Sequence, residues 1–487
     1  MTARRIGLIL GPLVFALSCT LTPPAGMPPQ ALLVAGLVVW MAAWWMTEAV
    51  PLTVTALLPF IVLPMGGIAN AEKTASFYYS STLFLILGGA FLALAIERTG
   101  MHRRLSVAIL KVTGASGGPW RLLLAFMTAT ALLSMMISNT STALIMMPIA
   151  LAVLQGGLPP PSDIEAVGRQ ETPSSSEATG HKDGLSGALP MGIAFAASIG
   201  GLGTIVGSPT NAIAVGLIES MAGVRIGFAQ WTLYGLPIVL LAVPLAAFII
   251  AKVQQITRHP FDVAAARRAI ASNAAWTTPE QRLVPVAVLT FIGWMTQPLV
   301  APLLPDGAWT DGTIAILGGI ALFLIPDGTG RTLLVWREAE RAPWSIIMMF
   351  GGGLALAQGM QLSGLAQWLG AALLPLQSLP LIVVALALTA LVIIVTEFAS
   401  NVATASGIIP VVAALTVALG ADPVLLAMPA ALAASWGFML PAGTGPNAIA
   451  WATGRIRIER MVGAGAVLDL TGVLLIVAVV WTVSALT

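Results

Sequence analysis

Apolar runs of about 20 residues recur along the whole chain, and this constrains the fold more than any other feature. Clear examples are residues 6–22, 31–47, 232–251, 283–304 and 463–486. That length crosses the hydrocarbon core of a bilayer. Backbone in lipid must satisfy its own hydrogen bonds, so such runs are read as membrane helices. Only 9% of the 487 residues are charged, against about 25% in soluble chains, too few to cover a soluble surface. The net charge of +2 suggests no nucleic-acid role. The one cysteine, Cys19, allows neither an internal disulfide nor a cysteine metal site, and reads as a small apolar helix residue. Arg4-Arg5 precedes an apolar run longer than a signal-peptide core of about 7–15 residues. A first membrane helix is therefore expected there.

Lys and Arg collect in cytoplasmic loops and set orientation. Twenty of the 22 basic residues fall in six clusters, at 4–5, 98–121, 169–182, 252–282, 331–341 and 455–460. One path puts all of these on the cytoplasmic side. Helices run at 6–22, 31–47, 50–65 and 82–98. A re-entrant hairpin (120–154) then enters from the cytoplasm. Helices follow at 188–223, 232–251, 283–304, 312–327 and 344–362. A second hairpin (380–420) enters from outside, and helices at 424–453 and 463–486 complete the path. This predicts eleven transmembrane helices and two hairpins, with the N-terminus cytoplasmic and the C-terminus outside.

Three pairs of segments repeat. LGGAFLALAIERTGM matches FGGGLALAQGMQLSGL, SMMISNTSTALIMMP matches EFASNVATASGIIP, and GSPTNAIAVG matches GTGPNAIAWA. The expected organisation is an N-terminal helix (1–30), a first repeat (31–251), a cytoplasmic linker (252–282) and a second repeat (283–487). The first repeat holds an insert at 155–187, rich in Pro, Ser, Gly and charge, which reads as a flexible polar loop. Each half crosses an odd number of times, so the second is inverted relative to the first. Inverted repeats are a transporter signature, with the binding site near the midplane.

The polar residues inside apolar segments fall at repeat-related places. The hairpin tips carry Ser138-Asn139-Thr140 and Ser400-Asn401-Val402. Two helices are interrupted at Gly207-Ser208-Pro209-Thr210-Asn211 and Gly443-Thr444-Gly445-Pro446-Asn447. Freed carbonyls at such breaks survive at membrane depth only where they are buried in protein or line a cavity. With Ser, Thr and Asn oxygens they make a neutral oxygen cage suited to Na⁺. The adjoining helix N-termini suit an anion. Lone Ser, Thr or Gly residues commonly serve as helix contacts; four clusters placed by a repeat point to a binding site. His102, His181 and His259, with Asp306 and Asp311, are expected in loops, and Glu48 at the membrane interface. Glu397 reads either as a proton or cation site or as a satisfied structural carboxylate. No HExxH and no intramembrane aspartate pair is present, so an enzyme is not expected.

WWMTEAVPLTVTALLP, LFLILGGAFLALAIERTGMHRRL, SNTSTALIMMP, SIGGLGTIVGSPTNA, TEFASNVATASGIIP and MLPAGTGPNAIA lie in both halves. Through them the chain resembles the divalent-anion/sodium symporter family of dicarboxylate, citrate and sulfate carriers. The resemblance implies a lipid-embedded homodimer in the cell (inner) membrane, with a fixed scaffold and a transport domain moving as an elevator. It implies one sodium site at Ser134, Ser138, Asn139 and the Gly207 carbonyl. A second is implied at Thr396, Asn401 and the Ala399 and Gly443 carbonyls. Substrate is implied between Ser138, Asn139, Thr140, Ser208, Pro209, Ser400, Asn401, Val402, Thr444 and Gly445. Val402 departs from the family's second Ser-Asn-Thr, and Gly445 stands where Pro is usual. The expected function is sodium-coupled symport of a divalent anion such as a C4-dicarboxylate. Symport of sulfate or another small oxyanion and dicarboxylate exchange remain as alternatives. A channel or a cation/proton exchanger using Glu397 is the alternative of another class. No Lys, Arg or His is close to these motifs in sequence, which favours sodium as the coupling ion.

Overall fold

The computed structural model describes residues 3–112, 118–157, 183–258, 261 and 275–487. These are helical, with no strand among them and one isolated bridge between Pro326 and Thr332. The first helices are α1 (Ala3–Ser18), α2 (Pro29–Thr47), α3 (Leu52–Thr55), α4 (Leu58–Met65), α5 (Ala71–Ser76), α6 (Ser81–Thr99) and α7 (Met101–Val112). The first hairpin is α8 (Pro119–Ser134) and α9 (Asn139–Gly157). Then come α10 (Leu185–Gly201), a 3₁₀ turn (Ile205–Gly207), α11 (Pro209–Ala222), α12 (Phe228–Val253), α13 (Thr278–Val300) and α14 (Asp311–Leu324). Next are α15 (Trp336–Ala339), α16 (Trp344–Leu362) and α17 (Leu365–Leu373). The second hairpin is α18 (Leu381–Phe398) and α19 (Asn401–Ala418), followed by α20 (Pro423–Ala433), α21 (Gly445–Ala452) and α22 (Ile458–Leu486).

Among the described residues eight helices are long and apolar enough to cross a membrane, and six shorter apolar helices accompany them. The shorter ones are the stretch of α3 and α4, the arms of the first hairpin, the leading parts of the two interrupted helices and α14. Several expectations need correction. The helix expected at 50–65 breaks between α3 and α4, beside Pro59, whose ring cannot donate to the preceding turn. Cys19 is exposed just beyond α1 rather than on it. His102 lies on α7, buried, with its ring Nδ1 3.1 Å from the Ile96 carbonyl. Asp311 heads α14 and is buried. Helix α7 was hidden because its charges mask a strongly amphipathic period. His181, His259 and most of the insert and linker lie outside the described residues.

Basic residues of several clusters pair with acids and carbonyls of distant segments. Arg98 pairs with Asp327 and donates to the Leu333 carbonyl at 2.7 Å, while Glu338 binds Arg331. Arg104 reaches Glu280, Arg282 donates to the Pro326 carbonyl, and Arg457 and Arg460 hold Asp183. Burial alone would raise the Asp327 carboxyl, but hydrogen bonds from Arg98 and Thr329 hold it well below the usual carboxylate range. These contacts join segments far apart in sequence.

Candidate functional site

Four helices start around one cavity of about 420 Å³. They are α9 at Asn139, α11 at Pro209, α19 at Asn401 and α21 at Gly445. The preceding residue of each is polar: Ser138, Ser208, Ser400 and Thr444. The Ser400 hydroxyl accepts from Ala403 N at 3.3 Å, and the Thr444 hydroxyl from Asn447 N at 3.2 Å. Each N-terminus directs unpaired N–H groups and roughly half a positive charge toward the space it faces. All ten expected substrate residues line this cavity: Ser138, Asn139, Thr140, Ser208, Pro209, Ser400, Asn401, Val402, Thr444 and Gly445. Its remaining wall comes from α6 and the start of α16, with Glu97 and Arg341 at its charged end. Arg341 corrects the expectation drawn from sequence neighbours: a cation does share the cavity wall, brought there by packing of α16 against α6.

Behind each tip lies an oxygen cluster. In the first, Ser134 is fully buried and its Oγ donates to the Ala197 carbonyl at 2.7 Å. Serine has one proton, so Oγ is left as an acceptor. The Asn139 carboxamide approaches Ser134 Oγ at 2.8 Å, the Ala197 carbonyl at 3.1 Å and the Gly207 carbonyl at 3.2 Å. Its amide NH₂ turned this way points its donors at these acceptors; its oxygen turned this way completes a cluster of oxygens suited to a cation. A Cβ on Gly207 would fall 2.6 Å from the Gly201 carbonyl oxygen and 2.9 Å from that of Ser134. A side chain there would fill the cradle. The second cluster repeats the first 262 residues later. Thr396 Oγ1 lies 2.8 Å from the Ala434 carbonyl and 2.9 Å from Asn401 Oδ1. Ala399 is extended, and Gly443 approaches the Glu397, Leu440 and Thr396 carbonyls. These donor sets are neutral hard oxygens, which fits Na⁺.

The breaks themselves are braced by two further asparagines. Asn211 Nδ2 donates to the Gly201 and Thr204 carbonyls at 2.7 and 2.8 Å. Asn447 Nδ2 donates to the Gly437 and Leu440 carbonyls at 3.4 and 3.1 Å. Glu397 is 1% exposed and accepts from the backbone N–H of Phe438, Met439 and Leu440. That is a satisfied carboxylate bracing the second break, as the structural reading of Glu397 expects. Asp469 of α22, buried beside Glu397, was missed from sequence. An aspartate set within the apolar run of the longest helix was the available signal.

The transmembrane region of the sodium:sulfate symporter family matches residues 3–486. The chain belongs to this family. Sodium-dependent dicarboxylate transporters SdcS are similar to this member over its full length. That of Staphylococcus saprophyticus is 37% identical over 98% of this chain and 91% of its own. That of Staphylococcus aureus MRSA252 is 36% identical over 99% and 91%. Among solved structures, the Alcanivorax borkumensis YdaH transporter is similar at a TM-score of 0.54 and 14% identity, covering 98% of this chain and 96% of its own. That likeness concerns fold alone. The family member described here is a multi-pass membrane transporter, not an enzyme.

Proposed function

We propose that the protein carries divalent anions, C4-dicarboxylates foremost, across the cell (inner) membrane by symport with sodium. The observation that carries this reading is the sharing of each hairpin tip by two unlike surfaces. One side of the tip is the carbonyl-rich oxygen cluster; the other is a helix N-terminus on the cavity. The first sodium binds Ser134, Ser138, Asn139 and the Gly207 carbonyl, and the second binds Thr396, Asn401 and the Ala399 and Gly443 carbonyls. The dianion lies between Ser138-Asn139-Thr140, Ser208-Pro209, Ser400-Asn401-Val402 and Thr444-Gly445. Asn139 and Asn401 turn their oxygens to the ions and their NH₂ groups to the anion.

Coupling follows from electrostatics. No basic side chain belongs to the tips, so a dianion there depends on helix N-termini and on the ions behind them. A pair of opposite unit charges about 5 Å apart at an effective dielectric near 20 attracts by roughly 3 kcal/mol. Each sodium therefore strengthens anion binding, and the anion strengthens sodium binding equally. The charged end of the cavity faces the cytoplasm, with the N-terminus inside and the C-terminus outside. The hairpins and α10–α12 with α20–α22 move as one body against the remaining helices of a homodimer. SdcS names sodium and a dicarboxylate for the relatives, which supports the substrate class.

Uptake of labelled succinate and sulfate into proteoliposomes, with and without an inward sodium gradient, tests the proposal. Sodium-driven, saturable succinate uptake is expected. Uptake that ignores sodium but follows an internal counter-substrate makes the protein an exchanger, and sodium-driven uptake of sulfate alone reassigns the substrate.

A further inference from the structure

Thr140 and Gly445 come from different repeats, one on a hairpin tip and the other at the start of α21, yet they touch. A Cβ on residue 445 would fall 2.4 Å from Thr140 Oγ1, 3.2 Å from its Cγ2 and 3.4 Å from its Cβ. The backbone does not call for glycine here, because Gly445 is not among the residues of positive φ. What the missing side chain provides is room for the threonine. Both residues are exposed in the cavity wall, and the Thr140 hydroxyl makes no hydrogen bond to protein among the described residues. It is therefore a free donor that keeps its room only while the helix start beside it stays bare.

The repeat supplies an internal comparison. Val402 stands where Thr140 does, 262 residues on, and Pro209 stands where Gly445 does, 236 residues earlier. Both line the same cavity. One tip thus has a hydroxyl and a glycine to seat it; the other has neither. We propose that Gly445 is a positioning residue that seats the Thr140 hydroxyl as a third side-chain donor to one end of the dianion. The site is then one-sided. Of the two tips, one then offers Ser138, Asn139 and Thr140 to its carboxylate, while the other offers Ser400 and Asn401, beside Val402 and the Pro209 ring. The inference rests on the reading of this cavity as the anion site.

A double-mutant cycle on sodium-driven succinate uptake tests it. Thr140→Ala should raise KM by about 10–150-fold, the value of one hydrogen bond to a charged partner. Gly445→Ala should raise KM by a similar factor, because the new methyl displaces the hydroxyl. In Thr140→Ala/Gly445→Ala the second change should cost nothing further, since no hydroxyl remains to displace. A Gly445→Ala protein that is unstable in detergent while the double variant is stable supports the same contact. Multiplying KM effects in the double variant, or a raised KM in Thr140→Ala with none in Gly445→Ala, overturns the positioning role while leaving the cavity as the anion site. If Thr140→Ala and Gly445→Ala both leave KM unchanged, the cavity reading itself fails.

Discussion

The polar atoms that define the site are few, and each is worth a measurable amount. Asn139 and Asn401 stand between an oxygen cluster and the cavity, and each has one acceptor and one NH₂ group. Asn139→Ala and Asn401→Ala are expected to remove most uptake, with roughly 1.5–3 kcal/mol lost per hydrogen bond to a charged partner. Monodisperse variants with near-normal uptake would reduce the tips to helix contacts. Val402 lines the cavity and also leans on both large hydrophobic clusters. In Val402→Thr the volume is kept and a donor is added. Succinate affinity should tighten by about 0.5–3 kcal/mol if both carboxylates are recognised. It should weaken by roughly 1–3 kcal/mol if an apolar part of the substrate packs there and leaves the hydroxyl unpaired. Apparent affinities for dicarboxylates, tricarboxylates and sulfate distinguish the two, and a flat panel would remove Val402 from the site.

At the scale of elements, the two interrupted helices solve one problem in two ways. The first break closes into a 3₁₀ turn, with Thr204 Oγ1 accepting from Gly207 N at 3.0 Å and donating to the Met135 carbonyl. The second break has no such turn, and Glu397, at the place of Met135 in the repeat, gathers three backbone N–H groups instead. A carboxylate can accept all three; a carboxamide would aim an N–H at one of them. Glu397→Gln is therefore expected to lower stability by about 1.5–3 kcal/mol for the lost bond to a charged acceptor. A thermal shift in detergent measures it. Lost uptake with an unchanged melting temperature would show instead that Glu397 acts on the ion.

At the scale of the molecule, the cavity opens at one end of the helices and the opposite end is closed by cross-links. Gln358 Nε2 donates to Ser220 Oγ at 3.0 Å, and Gln361 Nε2 to the Ser220 and Met221 carbonyls at 3.0 and 3.2 Å. The Asp311 carboxylate accepts from Phe228 N at 2.8 Å. These bonds join α16 and α14 to α11 and α12, so the elevator movement proposed above would have to break them. Gln358→Ala/Gln361→Ala should shift the population away from this state by roughly 2–12-fold per neutral bond of about 0.5–1.5 kcal/mol. A cysteine at Ala93 in the cavity wall, in a Cys19→Ser background, reports this as slower labelling by an impermeant thiol reagent from the cavity side. Unchanged labelling would mean that the cross-links do not bias the equilibrium.

How much of this was legible depends on range. Run length and hydropathy identified the long helices because crossing a bilayer is a property of one contiguous segment: α16 begins and ends where the apolar run does. The repeat, and with it both tips and both breaks, was legible because Gly, Pro, Ser and Asn act on the backbone beside them. Arg341 in the cavity wall, the burial of His102 and Asp311, the Glu397 brace and the seat of Thr140 on Gly445 were not legible. Each joins atoms far apart in sequence, Thr140 and Gly445 from opposite repeats, and no periodicity encodes such a meeting. The sequence by itself determined that four helix starts with polar caps exist in this chain. Only the tertiary structure decided that they face one cavity, because that follows from the packing of two inverted halves.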